Sequence, residues 1–299
     1  MKRNISINRL ILICFILLSN LLFAQNPRFK FIFMTDLHIQ REANAVEGVK
    51  KAISEINKLN PDFVITGGDL IMDALAVSYE RADSLYNLFN ETMKLINAPV
   101  YHTIGNHEIF GWYPQSKVSS DHPEYGKKMF EKRIGKTYRT FEHKGWKFFI
   151  LDSIEKLNEE GKYEGRVNAE QISWLKNELS KTDKGTPIVV VTHIPFITAL
   201  TQIQKGSLEP NTPGLVISNS LEVLSLFKEH NLKLVLQGHL HILEEINFNN
   251  RVRFLTGGAV SGRWWAGPNN GLEEGFVIVN VDGENLTYEY FDYGWDVKK

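Results

Sequence analysis

The most informative stretch of the chain, residues 28–38, reads RFKFIFMTDLH. Its three phenylalanines alternate with other residues, and side chains that recur with a period of two lie on one face of a β-strand. Asp36 and His38 follow where that strand should end. The stretch therefore predicts a strand whose carboxyl end presents a carboxylate and an imidazole.

The same arrangement recurs further along the chain. Polar runs follow four other strand-like stretches, namely Gly67-Gly68-Asp69, Gly105-Asn106-His107-Glu108, Thr192-His193 and Gly238-His239-Leu240-His241. Helical periodicity over residues 46–59 and 77–96 separates the first three strands, which are predicted at 28–34, 63–66 and 100–104. This order is typical of an α/β fold, in which ligand-binding residues collect beyond the carboxyl ends of the strands. We expect the five runs to converge.

Strands and helices are also predicted in the rest of the chain. We predict a loop over 111–125, a hairpin of strands 138–141 and 146–151, a helix from Asn168 to about Leu179, strands 188–191 and 232–236, a helix over 221–230, and strands alone after that. No linker rich in proline, glycine or serine interrupts this order. The sequence predicts one domain over residues 25–299.

The N-terminal segment differs in character from everything that follows. Basic residues precede an apolar run over residues 10–23, and Ala24 offers a small residue for cleavage. We predict a signal peptide over residues 1–24 and therefore export, which in a bacterium means a periplasmic or extracellular protein without a stable membrane anchor. The alternative is an uncleaved anchor through residues 10–23, a run shorter than the roughly 20 residues that span a bilayer. Cys14, the lone cysteine, lies inside this segment and cannot form an intramolecular disulfide.

Composition limits the function classes. The 299 residues are 43% hydrophobic, which is enough for a large core and argues against disorder. The 34 basic and 35 acidic residues nearly balance, so nothing indicates a groove that binds nucleic acid through counterion release. A small phosphorylated substrate is compatible with this charge.

Carboxylates, an amide and imidazoles together form a donor set that suits a pair of divalent metal ions. Two such ions about 3.5–4 Å apart need a bridging ligand, and Asp69, on a tight glycine turn, offers two carboxylate oxygens for that role. Asp36 and His38 can point toward one ion, while Asn106 adds an oxygen without adding charge. Mixed imidazole and carboxylate ligation favours Mn, Fe or Zn over Ca or Mg.

These residues resemble the calcineurin-like metallophosphoesterases, which carry the pattern D-x-H, G-D, G-N-H-[DE], H and G-H-x-H in that order. The likeness covers essentially all of the chain after the predicted signal peptide. It implies a four-layer αββα sandwich, in which two mixed β-sheets are flanked by helices. It also implies hydrolysis of a phosphodiester or phosphomonoester of a small molecule by a hydroxide that bridges two metal ions.

The resemblance also assigns roles to individual positions. It implies that one metal is bound by Asp36, His38, Asp69 and His241, and the other by Asp69, Asn106, His193 and His239. His107 becomes the general acid, and we expect the Glu108 carboxylate to orient its ring. A catalytically silent protein that binds metal and phosphate esters is the alternative, although no ligand position and no general acid is missing from the sequence.

Two further features concern the substrate. Asp73-Ala74-Leu75 and Ile104-Gly105 stand where phosphoprotein phosphatases of this superfamily carry Asp-Arg-Gly and an arginine, which disfavours a protein phosphatase. Downstream of the last ligands, Arg263 is a candidate partner for a phosphate, and Trp264 and Trp265 are candidates for stacking on a base or sugar. The alternative for the tryptophans is that they fill the core.

Overall fold

A computed structural model describes residues 27–157 and 162–297. The strands in this range are β1 (Arg28–Met34), β2 (Phe63–Thr66), β3 (Val100–His102), β4 (Arg139–His143), β5 (Trp146–Ile150), β6 (Ile154–Lys156), β7 (Tyr163–Gly165), β8 (Pro187–Val191), β9 (Asn231–Gln237), β10 (Leu243–Phe248), β11 (Val252–Gly257), β12 (Gly275–Asp282) and β13 (Asn285–Asp292). The α-helices are α1 (Ala45–Leu59), α2 (Tyr79–Met93), α3 (Lys128–Arg133), α4 (Ala169–Ser180), α5 (Leu200–Lys205) and α6 (Ser220–Leu226). Short 3₁₀ helices cover Asn106–Glu108 and Pro114–Ser116.

Two mixed sheets form the centre of the fold. The first has the strand order β13-β12-β1-β2-β3, in which β1 pairs in parallel with β2 and antiparallel with β12. The second has the order β10-β11-β9-β8-β5-β4, with parallel strands inside and an antiparallel strand at each edge. Strands β6 and β7 form a separate two-stranded ribbon. The predicted pair of mixed sheets is confirmed.

Aromatic side chains fill the space between the two sheets. The alternating phenylalanines of β1 all point there, and the Phe31 ring lies flat against Phe63 of β2 with centroids 5.0 Å apart. From the second sheet, the Phe148 ring stands perpendicular to Phe31 at 5.6 Å. Burying such large rings on one face of each sheet removes apolar area from water, which is the main stabilising term of a core.

The outer faces of the sheets are covered by helices. Ile32 of β1, whose side chain points away from the phenylalanines, packs in one cluster with Val49 and Ile53 of α1. On the second sheet, the ring of Phe149 stands 5.8 Å from Phe227, just after α6. Helix, sheet, sheet and helix thus form the four layers predicted from the resemblance.

Most predicted elements are present with shifted ends. The hairpin of β4 and β5 and the start of α4 are confirmed, and the side chain of Asn168 accepts a hydrogen bond from the backbone of Gln171 as an N-cap should. Three predicted elements are too long, since α2 begins only after its cap Ser78, β3 ends at His102, and α6 ends at Leu226. The short elements α3, α5, β6 and β7 carry too few residues for a periodic pattern.

The predicted signal peptide, residues 1–24, lies outside the described residues. Among the residues that the structure describes, none of the helices is both long and apolar enough to cross a bilayer.

Candidate metal centre

The loops after β1, β2, β3, β8 and β9 meet at one edge of the sheets, as expected for the carboxyl ends of parallel strands. The backbone N–H of Asp36 donates to the carbonyl of Gly68 at 3.0 Å, and that of Gly238 donates to the carbonyl of His193 at 2.9 Å. The Asn106 amide oxygen lies 3.1 Å from His193 Nε2. Side chains that are far apart in sequence are therefore locked into one site.

Three buried side chains form what we call the first ligand cluster, namely Asp36, His38 and His241. The Nε2 atoms of the two histidines lie 3.1 Å apart. His241 Nε2 also lies 3.3 Å from Asp36 Oδ1. The three donor groups thus face a single small space.

A second ligand cluster stands beside the first and contains Asp69, His193 and His239. His193 Nε2 lies 3.2 Å from His239 Nδ1. It also lies 3.2 Å from Asp69 Oδ1, and the Asn106 amide oxygen approaches the same nitrogen. The seven residues predicted as metal ligands therefore form two adjacent groups.

Asp69 connects the two clusters through its two carboxylate oxygens. Its Oδ1 faces His193 of the second cluster at 3.2 Å, and its Oδ2 faces His38 of the first at 3.6 Å. A carboxylate placed in this way presents one oxygen to each cluster.

Burial and neighbouring charges shift the pKa values of the site residues in different directions. Burial alone would raise the pKa of Asp69, but the charges of His193 and His107 outweigh it and hold that pKa well below 3.8. Burial also works against a proton on His193, yet Asp69 raises the pKa of that imidazole to about 9. Burial and the charge of His193 lower the pKa of His239 to about 4. The buried carboxylate of Asp69 thus favours positive charge on the groups that face it.

The donor set fits divalent metal ions. In each cluster two imidazole nitrogens face each other at 3.1 or 3.2 Å, a spacing at which two lone pairs repel unless a proton or a cation lies between them. Carboxylate oxygens complete both clusters and offset the charge of a cation. Imidazole with carboxylate suits Mn, Fe and Zn.

His107 lies at the open side of the site, with 24% of its side chain exposed. Its Nδ1 lies 2.5 Å from the carbonyl oxygen of Met72, so Nδ1 carries the proton of the neutral ring. The opposite nitrogen, Nε2, is 3.8 Å from Asp69 Oδ2, and the ring stands perpendicular to that of His38 at 4.6 Å. His107 therefore directs one nitrogen toward the space above the ligands.

Glu108 does not orient the ring of His107, which corrects the expectation from sequence. Its buried carboxylate accepts backbone N–H groups from the loop after β2, at 3.0 Å from Asp69 and 2.7 Å from Leu70. It also accepts the N–H of Gly105 at 2.7 Å. His107 and Glu108 are consecutive residues of the short 3₁₀ helix Asn106–Glu108, and the side chain of Glu108 points toward that loop and away from the ring beside it. Glu108 fixes the backbone that carries Asp69.

A close approach explains one glycine of the pattern. A Cβ atom on Gly105 would lie 2.3 Å from the carboxylate oxygen Oδ1 of Asp69. Real Cβ contacts are never so short, so a side chain here would displace Asp69 from its position between the clusters.

Backbone strain is concentrated on the ligands. Five of the seven have a positive φ, namely Asp36 (56°), His38 (43°), Asp69 (49°), His239 (72°) and His241 (53°). Non-glycine residues rarely adopt this left-handed region, and each instance costs on the order of 1–3 kcal/mol. Such strain persists where surrounding contacts over-determine it, and it clusters at functional sites.

The structure places the three candidates for substrate contact, Arg263, Trp264 and Trp265, in different environments. Trp265 is only 1% exposed and its indole N–H donates to the carbonyl oxygens of Leu37 and His38, both at 3.1 Å, so the prediction of substrate contact is wrong for this residue. Trp264 is 47% exposed and its ring lies 4.7 Å from that of His241. Arg263 is exposed beside it.

Sequence analysis missed Tyr163, a residue of β7. Its ring stands perpendicular to that of His239 with centroids 6.3 Å apart. Burial raises the pKa of its hydroxyl well above 10, and the charge of Asp69 adds to the effect. A three-residue strand has no detectable period, so no sequence signal pointed to it.

Comparison with known proteins gives a family match. The family model described as calcineurin-like phosphoesterase matches residues 29–243. A curated relative, the 3',5'-cyclic adenosine monophosphate phosphodiesterase CpdA of Haemophilus influenzae, is 28% identical over 233 residues, which cover 75% of this chain and 73% of the relative.

Solved structures with the same fold include two phosphatases. A dimetal phosphatase from Danio rerio superimposes with a TM-score of 0.63 at 14% identity, covering 90% of this chain and 97% of that one. The purple acid phosphatase PPD1 from yellow lupin (Lupinus luteus) seeds gives 0.59 at 16% identity, covering 90% of this chain and 52% of that one. At such low identity this likeness establishes the fold alone.

Proposed function

The chain belongs to the calcineurin-like phosphoesterase family, hydrolases of phosphoesters, and we propose that it cleaves a small-molecule phosphoester with the help of two divalent metal ions. One observation carries the two-metal part of this proposal. Asp69 turns one carboxylate oxygen to each of two clusters of imidazole and carboxylate groups, which is the arrangement a bridging ligand needs.

The ligands follow from the two clusters. One ion would be held by Asp36, His38, Asp69 and His241, and the other by Asp69, Asn106, His193 and His239. We propose Mn, Fe or Zn for both positions. When bound, the ions supply Lewis acidity, a lowered pKa for a bound water, and positive charge for the phosphoryl oxygens.

His107 is proposed as the general acid. The Met72 carbonyl fixes the proton on Nδ1 of the neutral ring, so the proton that His107 gains on Nε2 faces the substrate. That proton can pass to the leaving oxygen as the ester bond breaks. Nε2 lies 3.8 Å from the Asp69 carboxylate, so a proton on this nitrogen would stand at the edge of the proposed metal site.

We propose a cyclic nucleotide as the first substrate to test. The supporting observations are that CpdA, a relative, is named as a 3',5'-cyclic AMP phosphodiesterase and that Trp264 exposes an indole beside His241. An indole can stack on a nucleobase, and the Arg263 guanidinium can pair with a phosphate oxygen. The ester class is thus a diester in this proposal, with monoesters as the competitor.

We also propose that residues 1–24 are a cleaved signal peptide, that residues 25–299 form the mature domain, and that the protein is exported. The basic start, the apolar run and Ala24 support cleavage before Gln25. N-terminal sequencing of the protein recovered from cell fractions tests this. A mature chain that still begins at Met1, found with membranes, would favour the uncleaved anchor.

A substrate and metal panel tests the catalytic proposal. Protein freed of metal with a chelator is reloaded with Mn, Fe or Zn and assayed on bis-p-nitrophenyl phosphate, p-nitrophenyl phosphate and 3',5'-cyclic AMP. We expect turnover only after reloading, with the diesters preferred. Absence of turnover with every ion, together with tight binding of the esters, would favour the catalytically silent alternative.

A further inference from the structure

One segment outside the family match contacts the first ligand cluster on the side away from its facing donor atoms. We call residues 258–269 the supporting loop; it is the first part of the segment that connects β11 to β12. The family model ends at residue 243, so none of the pattern that identifies the family includes this loop.

The supporting loop is bonded along the whole Asp36–His38 turn. The backbone N–H of Val260 donates to the carbonyl of Thr35 at 2.9 Å, and the Ser261 hydroxyl donates to the carbonyl of Asp36 at 2.7 Å. The indole N–H of Trp265 donates to the carbonyls of Leu37 and His38. The four successive carbonyl groups from Thr35 to His38 thus accept hydrogen bonds from one loop.

The same loop also fixes His241. His241 Nδ1 lies 2.6 Å from the carbonyl oxygen of Gly262, which sets the tautomer and leaves Nε2 to face the cluster. The Asn269 side-chain amide donates to the backbone carbonyl of His241 at 2.7 Å. The Trp264 ring covers the imidazole from outside. Every member of the first cluster is therefore in contact with the supporting loop.

The loop itself is held in a strained conformation. The consecutive residues Trp264 and Trp265 have φ values of 49° and 69°, a region that bulky side chains rarely adopt. Trp265 is buried against Gly48, where a Cβ atom would lie only 2.1 Å from the indole ring. The burial of Trp265 and its hydrogen bonds to Leu37 and His38 are contacts that hold this strained conformation in place.

The imidazole rings of the second ligand cluster are oriented from elsewhere, and its link to the first cluster is the backbone N–H of His239, which donates to the Asp36 carboxylate at 3.0 Å. His193 Nδ1 lies 2.8 Å from the carbonyl of Gly67, and His239 Nε2 lies 3.0 Å from that of Gly214. Neither glycine belongs to the supporting loop. The two clusters therefore take their ring orientation from separate parts of the chain.

We propose that the supporting loop sets the metal affinity of the position formed by Asp36, His38, Asp69 and His241, and affects the other position much less. Trp265 acts as a positioning residue, because it touches the carbonyl groups behind the ligands and contacts neither metal nor substrate. The proposal rests on the proposed function in that it requires two metal ions to bind.

Trp295 provides a matched control for Trp265. The two indole rings pack at right angles with centroids 5.8 Å apart, and both are buried. Within the described part of the chain, however, Nε1 of Trp295 has no hydrogen-bond partner. Replacing either residue by phenylalanine removes the same atoms from the same core, but only Trp265→Phe removes hydrogen bonds to the turn that carries Asp36 and His38.

The experiment is titration of chelator-treated protein with Mn²⁺ by calorimetry. We expect two binding events in the wild type and in Trp295→Phe. In Trp265→Phe one event should weaken by roughly 10- to 100-fold, the usual effect of removing a contact behind a metal ligand, while the other should weaken by much less. Ser261→Ala, a smaller change, should weaken the same event by roughly fivefold. The melting temperature measured in the presence of chelator should fall by a similar amount in Trp265→Phe and Trp295→Phe.

Two reference variants identify the affected event. His241→Asn should remove the event that Trp265→Phe weakens, and Asn106→Ala should weaken the other. Equal weakening of both events in Trp265→Phe, or unchanged binding in both Trp265→Phe and Ser261→Ala, would overturn the proposal while leaving the two-metal function intact. A wild-type protein that binds no Mn²⁺ would contradict the proposed function itself, and this inference with it.

Discussion

The carboxylate of Glu108 accepts the backbone N–H of Asp69 at 3.0 Å, from a position 39 residues further along the chain. This contact joins the loop after β3 to the loop after β2 beneath the side chain of Asp69, which faces both ligand clusters. It is a structural link between motifs that the sequence shows as separate runs.

Replacing Glu108 by glutamine should misplace Asp69. The glutamine side chain keeps its size but has one acceptor oxygen, and its NH₂ group would face N–H donors that the carboxylate now accepts. We expect kcat/KM on bis-p-nitrophenyl phosphate to fall by roughly 10- to 100-fold, with weaker metal binding. Steady-state kinetics and metal analysis check this. Glu131→Gln, on α3, is the control, and equal activity of the two variants would contradict the role of Glu108.

Replacing His107 by glutamine should slow catalysis according to the leaving group. A general acid contributes roughly 10²- to 10⁴-fold when the leaving oxygen is basic, and little when it is a good leaving group such as p-nitrophenolate. We expect a large loss of kcat on 3',5'-cyclic AMP and a smaller one on bis-p-nitrophenyl phosphate, with metal content unchanged. The same loss on both esters would argue against proton transfer by His107.

Replacing Asp69 by asparagine should affect both metal positions. The amide has one carbonyl oxygen and no charge, so it cannot present an oxygen to each cluster as the carboxylate does. Metal analysis after dialysis should show less than one ion per chain, and activity should disappear as it does in wild-type protein treated with chelator. Full activity after adding back excess metal is expected for the wild type only. Retention of both ions by Asp69→Asn would end the bridging assignment.

Truncating Trp264 to alanine should weaken the binding of substrates that carry a nucleobase. The exposed indole beside His241 can stack on a base, and base stacking contributes about 1–3 kcal/mol. We expect KM for 3',5'-cyclic AMP to rise about tenfold or more, at nearly constant kcat. Arg263→Ala should raise KM as well, without lowering the melting temperature. Unchanged KM values in both variants would remove these residues from the substrate site.

Glu124 gives a prediction about stability and pH at a place remote from catalysis. Its buried carboxylate accepts hydrogen bonds from Lys132 and Arg133, which lower its pKa below 4.5 although burial alone would raise it. A carboxyl group whose pKa is lower in the folded than in the unfolded state stabilises the fold above its unfolded pKa and loses this effect as the pH falls through the folded pKa.

Glu124→Gln should therefore lower the free energy of unfolding by about 2 kcal/mol near neutral pH, since it removes a buried ion pair with several hydrogen bonds. The difference between variant and wild type should shrink as the pH drops below about 4.5. Urea unfolding in the presence of chelator, at neutral and acidic pH, measures it. A difference that is independent of pH would show that the ionised carboxylate is not the stabilising species.

The existence and order of the strands that precede the five polar runs were predictable, because their apolar residues follow simple patterns, although β3 ends two residues earlier than predicted. The alternating phenylalanines of β1 face the space between the sheets, and four of the five runs follow strands that are mostly buried, whereas β3 is half-buried. The clustering of Asp36, Asp69 and His193 follows from that placement. It needs only the rule that carboxyl ends of parallel strands share an edge.

Contacts that cross between loops were not predictable in the same way. Trp265 looked like its neighbour Trp264, yet their side chains point to opposite sides of a strained turn, one into the core and one to the rim of the site. Glu108 follows His107 directly, yet its carboxylate turns beneath Asp69. Adjacent residues in an irregular segment have no periodicity that assigns their directions, so tertiary packing decides.

The order of the chain has a consequence for biosynthesis. The last predicted ligand is His241, whereas the supporting loop is translated afterwards, at residues 258–269. A nascent chain that ends between these points contains every predicted metal ligand. It lacks the hydrogen-bond donors of the supporting loop that hold the backbone of Asp36 and His38. During synthesis, the side-chain hydrogen bonds that hold the Asp36–His38 turn therefore become possible only after every predicted metal ligand has been made.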